Sequence, residues 1–131
     1  MFRLSKKTDY SLMALKHIMA KDNQRSSARE IAEAYGIPFE VLAKLLQTLA
    51  RKGLLVSQHG TKGGYSPARG SASISVREVM EAIEGPVALI DCESRRRGPC
   101  EQEGLCRVRR PLAKVQQMVI DLLDRTTLRE I

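Results

Sequence analysis

Three cysteines, Cys92, Cys100 and Cys106, are the only thiols in a chain of 131 residues, and they fall within fifteen residues of one another. Gly98, Pro99 and Gly104 lie among them, so the stretch reads as a loop rather than as part of a packed core. A loop that gathers thiols suits a soft metal or an iron–sulfur centre, for which thiolate is the usual protein ligand. Three alternatives stand beside that reading. Free cysteines are often small buried hydrophobes, but Cys100 and Cys106 have charged and glycine neighbours rather than apolar ones. A disulfide framework is disfavoured by the odd count and by the absence of a secretory signal. Structural zinc usually shows a C-x₂₋₄-C knuckle, whereas the intervals here are seven and five residues.

The elements that must position this loop are read from the remainder of the chain. Residues 1–70 hold 12 Lys and Arg against 5 Asp and Glu, a net +7, whereas residues 71–131 hold 10 of each. All the excess positive charge therefore lies in the first part, as expected of a polyanion-binding module followed by a neutral module with another task. No run of about 18 apolar residues suggests a membrane span, and the start lacks the apolar core of a signal peptide, so a cytoplasmic location is expected. With no Trp and five other aromatics, stacking platforms for single-stranded nucleic acid are missing.

A first helix is expected over Thr8 to Lys21, with Leu12, Leu15 and Met19 at helical spacing and Ser5 or Thr8 as its cap. Asp9 falls in its first turn, where the helix dipole favours a carboxylate; His17 beside the apolar stripe reads as structural. Ser27-Ala-Arg-Glu30 has the pattern of a capping box opening a short helix that Gly36 ends. Pro38 is expected at the first position of the next helix, which runs to about Lys52. Leu42, Leu45, Leu46 and Leu49 give that helix one apolar face, and Glu40, Lys44, Gln47 and Arg51 populate the other, with Thr48 at the edge. Two helices joined by a tight Gly-containing turn form a helix-turn-helix. On its second helix Gln47 suits adenine, and Lys44 or Arg51 suits guanine or phosphate. A short strand over 54–58, a Gly-rich turn carrying His59, Thr61 and Lys62, and a return strand through Tyr65 then form a basic hairpin, a wing. Gly63 and Gly64 were glycines suited to a close approach of backbone to phosphate.

Ser75-Val-Arg-Glu78 is a second capping box, opening a helix that Gly85-Pro86 stops. Beyond the cysteines, Leu105, Val108, Leu112, Val115, Val119 and Leu122 are spaced 3, 4, 3, 4, 3, an a/d seam suited to pairing with a symmetry mate. Pro111 predicts a short turn before it and a long helix after it. The fold class expected is mainly α with a small β-hairpin wing: a winged helix-turn-helix DNA-binding domain over 1–85, then the cysteine loop and a dimerisation helix over 86–131 as one unit.

These features together resemble the Rrf2 family of bacterial transcription regulators. The marks are Leu4 to Tyr10, Ile31 to Pro38, Leu49 to Leu54, Gly60 to Tyr65, Ile74 to Gly85, the three-cysteine loop and the ending Thr127 to Ile131. The resemblance implies a cytoplasmic homodimer that binds two-fold double-stranded DNA. It also implies an iron–sulfur cluster on Cys92, Cys100 and Cys106, with [4Fe-4S] favoured over [2Fe-2S] on branch resemblance. One branch places a His three residues after the last Cys; here that position is Arg109, which cannot ligate iron because guanidinium stays protonated. Another branch uses an acidic residue near the N-terminus, and Asp9 from the other subunit matches it. Glu101, Glu103, His17, a small thiol or water remain open as fourth ligand. The DNA-facing set on this reading is Ser27, Arg29, Pro38, Glu40, Lys44, Gln47, Thr48, Arg51, His59, Thr61 and Lys62. Arg95, Arg96 and Arg97 read as a solvated turn, with a part in charge balance or DNA contact as the alternative.

The expected function is repression of iron–sulfur assembly genes of the SUF type, with iron- or nitric-oxide-responsive repression as an alternative and a zinc-stabilised module without sensing role as another. An enzyme is not expected: neither His lies in a recognisable catalytic motif, and Gly60 to Gly64 lacks P-loop spacing. Three cysteines without a compact ferredoxin run also argue against an electron carrier.

Overall fold

The computed structural model describes residues 3–22, 24–61, 63–89 and 104–131. Its elements run α1 (Lys6–Ala20), α2 (Ala28–Tyr35), α3 (Phe39–Arg51), β1 (Leu55–Gln58), β2 (Gly64–Pro67), a single 3₁₀ turn (Ser71–Ser73), α4 (Val76–Glu84) and α5 (Arg109–Arg125). Among the described residues no helix is long and apolar enough to cross a membrane.

The helix starts follow their caps. Ser5, rather than Thr8, begins α1: its hydroxyl accepts from the Thr8 N–H, so the helix starts two residues earlier than the periodicity alone predicts. The Ser75 box forms in full, with Ser75 and Glu78 each satisfying the other's backbone N–H. The Ser27 box forms only by half. Ser27 accepts from Glu30 N–H, but the Glu30 carboxylate turns to the Lys21 ammonium, because a charge-assisted bond outweighs one to a neutral N–H. Pro38 takes the N-cap rather than the first helical position, with ψ at 125°; its carbonyl accepts from Leu42 N–H at 3.0 Å. Pro111 does not delay α5 as the sequence suggests, since it is that helix's third residue. The N–H groups of a first turn have no intrahelical partner to lose, so the helix starts at Arg109 and Leu112 N–H bonds Val108 O at 2.9 Å.

One core serves α1 to α4. Leu42, Leu46 and Leu49 of α3 are buried with Ala14, Leu15 and Ile18 of α1, Ile31 of α2, Val79 of α4 and Leu128 beyond α5. The chain end is bound to this core: Leu128 N–H bonds Ile74 O at 2.9 Å, Val76 N–H bonds Thr126 O at 2.8 Å, and Lys16 Nζ donates to Leu128 O at 3.1 Å. By contrast α5 buries only Ile120. It rests on α4, where Arg77 bonds Glu81 and reaches Asp124, and its Gln116 side chain accepts from Leu89 N–H at 2.7 Å.

The antiparallel wing pairs Leu55 with Pro67 and Gln58 with Gly64, and it is fixed to the base of α2 by two backbone bonds between Ser26 and Tyr65, at 3.0 and 2.8 Å. Gly64 has φ +145°, and a Cβ there would lie 2.9 Å from Ser26 O; one on Gly63 would lie 2.5 Å from Gln58 O. Gly63 is therefore required by a contact within the wing itself, and Gly64 by the wing's close approach to Ser26. Burial raises the Tyr65 phenol above its ordinary pKa.

Lys21 pairs with Glu30 across the α1–α2 junction. Its hydrogen bond holds the Glu30 carboxyl below its ordinary value of 4.5, against an opposing contribution from burial. A carboxylate with a lowered folded-state pKa stabilises the fold above its unfolded value and loses that contribution as pH falls through the folded one. Glu30→Gln is therefore expected to lower stability near neutrality, with the gap to the parent closing as pH falls below about 4.5; urea melts from pH 7 to pH 3 measure it.

Candidate nucleic-acid interface and cofactor site

Burying the leucines of α3 turns its other side outward. Glu40, Lys44, Gln47 and Arg51 are all exposed and Thr48 is half-buried. They form a continuous strip because positions four, then three, then four residues apart share one helix face. The strip has internal order: Thr48 Oγ1 donates to Lys44 O at 3.0 Å, and Arg51 donates to Thr48 Oγ1 at 3.3 Å. Two lysines face one groove, since Lys7 of α1 lines it with Lys44, Thr48 and Ile83. The sequence reading missed Lys7, because nothing in spacing shows that the first turn of α1 lies beside α3.

At the start of the pair, Ser27, Arg29 and Pro38 are exposed. Ser27 is engaged as the α2 cap, and the Arg29 guanidinium stands 5.5 Å from the centre of the Phe39 ring. Phe39 was also missed. It is the first residue of α3 and is 47% exposed. On the wing, His59 and Thr61 are exposed at the loop after β1, and Lys62 lies outside the described residues. His17 Nδ1 stands 2.9 Å from the Tyr35 hydroxyl, with the two rings edge-to-face.

Of the expected cluster ligands, Cys92 and Cys100 lie outside the described residues, as do Glu101 and Glu103. Cys106 is exposed ahead of α5. Asp9 is half-buried in the first turn of α1, with Lys6 Nζ at 4.0 Å from its carboxylate. That turn adjoins the place where the chain leaves α4 for the cysteines: the Ser5 hydroxyl bonds the Glu84 carboxylate, and Leu4, Ser5, Thr8, Pro86 and Val87 line one hollow. The donor set fits an iron–sulfur centre in kind, with thiolates as the usual ligands and an exposed cysteine available to bind.

Comparison with known proteins places this arrangement. The Rrf2 family model, described as an iron-dependent transcriptional regulator, matches residues 4–131. The HTH-type transcriptional repressor NsrR of Streptomyces coelicolor is 31% identical over 131 residues, covering 98% of this chain and 87% of that protein. Among solved structures, Staphylococcus aureus CymR is 28% identical with TM-score 0.71, over 96% of this chain and 94% of that one. The global cysteine regulator CymR of B. subtilis shares the fold at TM-score 0.77 and 24% identity, over 99% and 95% of the two chains. IscR of T. potens does so at 0.71 and 23%, over 98% and 85%. These relatives are regulators of transcription and not enzymes. A helix-turn-helix with an outward polar face, a wing braced against it and a match along nearly the whole chain make this protein a member of the Rrf2 family of DNA-binding transcriptional regulators.

Proposed function

We propose that the protein is a homodimeric repressor whose grip on a two-fold operator depends on an iron–sulfur cluster held by Cys92, Cys100 and Cys106. The observation that carries this reading is the exposed apolar stripe of α5, just after the last cysteine. Leu112, Val115, Met118 and Leu122 all face solvent, with Met118 63% and Leu122 57% exposed. An apolar face this long on a single chain points to an interface, and its 3–4 spacing suits helix pairing. A two-fold pair presents two copies of α3 to half-sites about 34–36 Å apart. The family description as iron-dependent and the NsrR name as a repressor support the cofactor and the sign of control.

Within each subunit α3 enters the major groove. Gln47 pairs with an adenine edge, Lys44 and Arg51 with guanine or phosphate, and Glu40 accepts from cytosine. Ser27, Arg29, Pro38, Thr48 and the wing residues His59, Thr61 and Lys62 hold the register on the backbone. Asp9 of the partner subunit completes the ligand set, and [4Fe-4S] is favoured over [2Fe-2S]. A cluster held by these residues would supply iron- and oxidant-sensitive chemistry at the loop. The residues around Asp9 carry its position onward: the first turn of α1 is bonded through Ser5 to Glu84 of α4, and Lys7 of the next position shares a groove with Lys44 and Thr48. A shift of α1 is thereby felt at the reading face, and both copies of that face must fit the duplex together. The controlled genes on this reading are those of SUF-type cluster assembly, in the cytoplasm. A second reading, control by a thiol metabolite without a cluster, is favoured by the fold shared with the global cysteine regulator of B. subtilis; the three clustered thiols favour the first.

Val115→Glu is expected to convert the dimer to a monomer, read by sedimentation, and to weaken operator binding at least tenfold. Gln47→Ala should weaken specific binding by about 1–3 kcal/mol and relax preference at one position of each half-site, while Lys44→Ala should weaken all duplexes alike and reduce the salt slope by about 1; shift assays at several salt concentrations distinguish these. Protein purified without oxygen is expected to be coloured and to hold iron and sulfide. Asp9→Ala should change its absorption spectrum and speed its loss of iron, with the mutant still dimeric. A spectrum and loss rate equal to the parent's reject Asp9 as ligand, and colourless, iron-free parent protein rejects the cluster.

A further inference from the structure

Phe39 has no part in the reading above, and its surroundings call for one. It is the first residue of α3, at the end of a recognition helix whose side chains contact base edges. Of the other exposed apolar groups on the helices, Tyr35 meets His17, and the α5 stripe is assigned to the subunit interface. Phe39 has only the rim of a shallow hollow made with Arg29, Ala32, Glu33 and Ile37. The Arg29 guanidinium lies over the ring, which braces it through a cation–π contact and keeps positive charge beside it.

An apolar ring braced by a guanidinium matches one feature of a duplex. In the major groove only thymine presents a methyl group, and apolar side chains, phenylalanine among them, read it by contact. We propose that Phe39 is a specificity-determining residue that reads the 5-methyl group of one thymine in each half-site, with Arg29 as the residue that positions its ring. The assignment rests on α3 entering the major groove and deepens that reading: beside the hydrogen bonding of Gln47 and Lys44, it adds an apolar contact at the leading end of the helix. Covering one methyl group contributes roughly fourfold in affinity per half-site.

The test uses the full-length protein, purified without oxygen, and a pool of duplexes with a randomised centre. The enriched duplex is then remade with deoxyuridine, which lacks only the methyl group, at each thymine in turn. Wild-type protein should lose about fourfold per half-site at one symmetry-related thymine, and 5-methylcytosine placed in that position of the deoxyuridine duplex's strand should recover no more than the methyl contact. F39A should bind the thymine and deoxyuridine duplexes equally, while F39L, which keeps an apolar side chain, should retain part of the preference. R29A should narrow the difference without abolishing it. Wild-type indifference to every deoxyuridine change overturns the assignment, as does an F39A protein as sensitive as the parent. If the parent enriches no sequence at all, the reading of α3 falls with it; if Gln47→Ala relaxes sequence preference while deoxyuridine has no effect, only the Phe39 assignment falls.

Discussion

Burial of the leucines along one side of α3 is the constraint on which the rest of the structure depends. Leu42, Leu46 and Leu49 lie in a core shared with α1, α2, α4 and the chain end, each contributing about 1.5–3 kcal/mol by leaving water. A helix held in this way has no freedom to rotate about its axis. Lys44, Gln47 and Arg51 therefore face outward because the leucines face inward, and this polar face is as well fixed as the core beneath it.

The wing depends on the same arrangement by a different force. Its hairpin is only two strands of four residues each, and a lone pair of strands is marginal in water. The backbone pairing of Ser26 with Tyr65 adds a third partner, and that contact is close enough to exclude any side chain on Gly64. The residue pair thus ties the wing to the entrance of α2, so the hairpin and the helix pair are held together.

α5 stands apart from this economy. It buries one residue of its own length, and it is held at α4 by Arg77 and at the approach to the cysteines by Gln116. The chain end returns beneath it to place Leu128 in the main core. The helix is therefore anchored firmly at its far end and carries its apolar stripe outward. A helix placed so presents that stripe to whatever surface covers it.

Much of this was legible in the residues alone, for reasons that can be named. Ser27, Gly36, Ser75 and Gly85 act through local backbone chemistry, so the helices they bound could be placed to within a residue or two. The leucine periodicity of α3 and the 3–4 stripe of α5 separate apolar from polar faces without any knowledge of neighbours. The residues that were misread depend on neighbours distant in sequence. Glu30 leaves its box because Lys21 comes within reach; and where no reading was made, Phe39 is exposed and Lys7 lines a groove with Lys44 because of how the helices pack. Local propensity and periodicity are properties of a few consecutive residues, and the sequence by itself determined whatever followed from them: the elements and their inward faces. Which surfaces adjoin, which charges find each other and where the core stops are set by packing between segments far apart along the chain, and those only the tertiary structure decided.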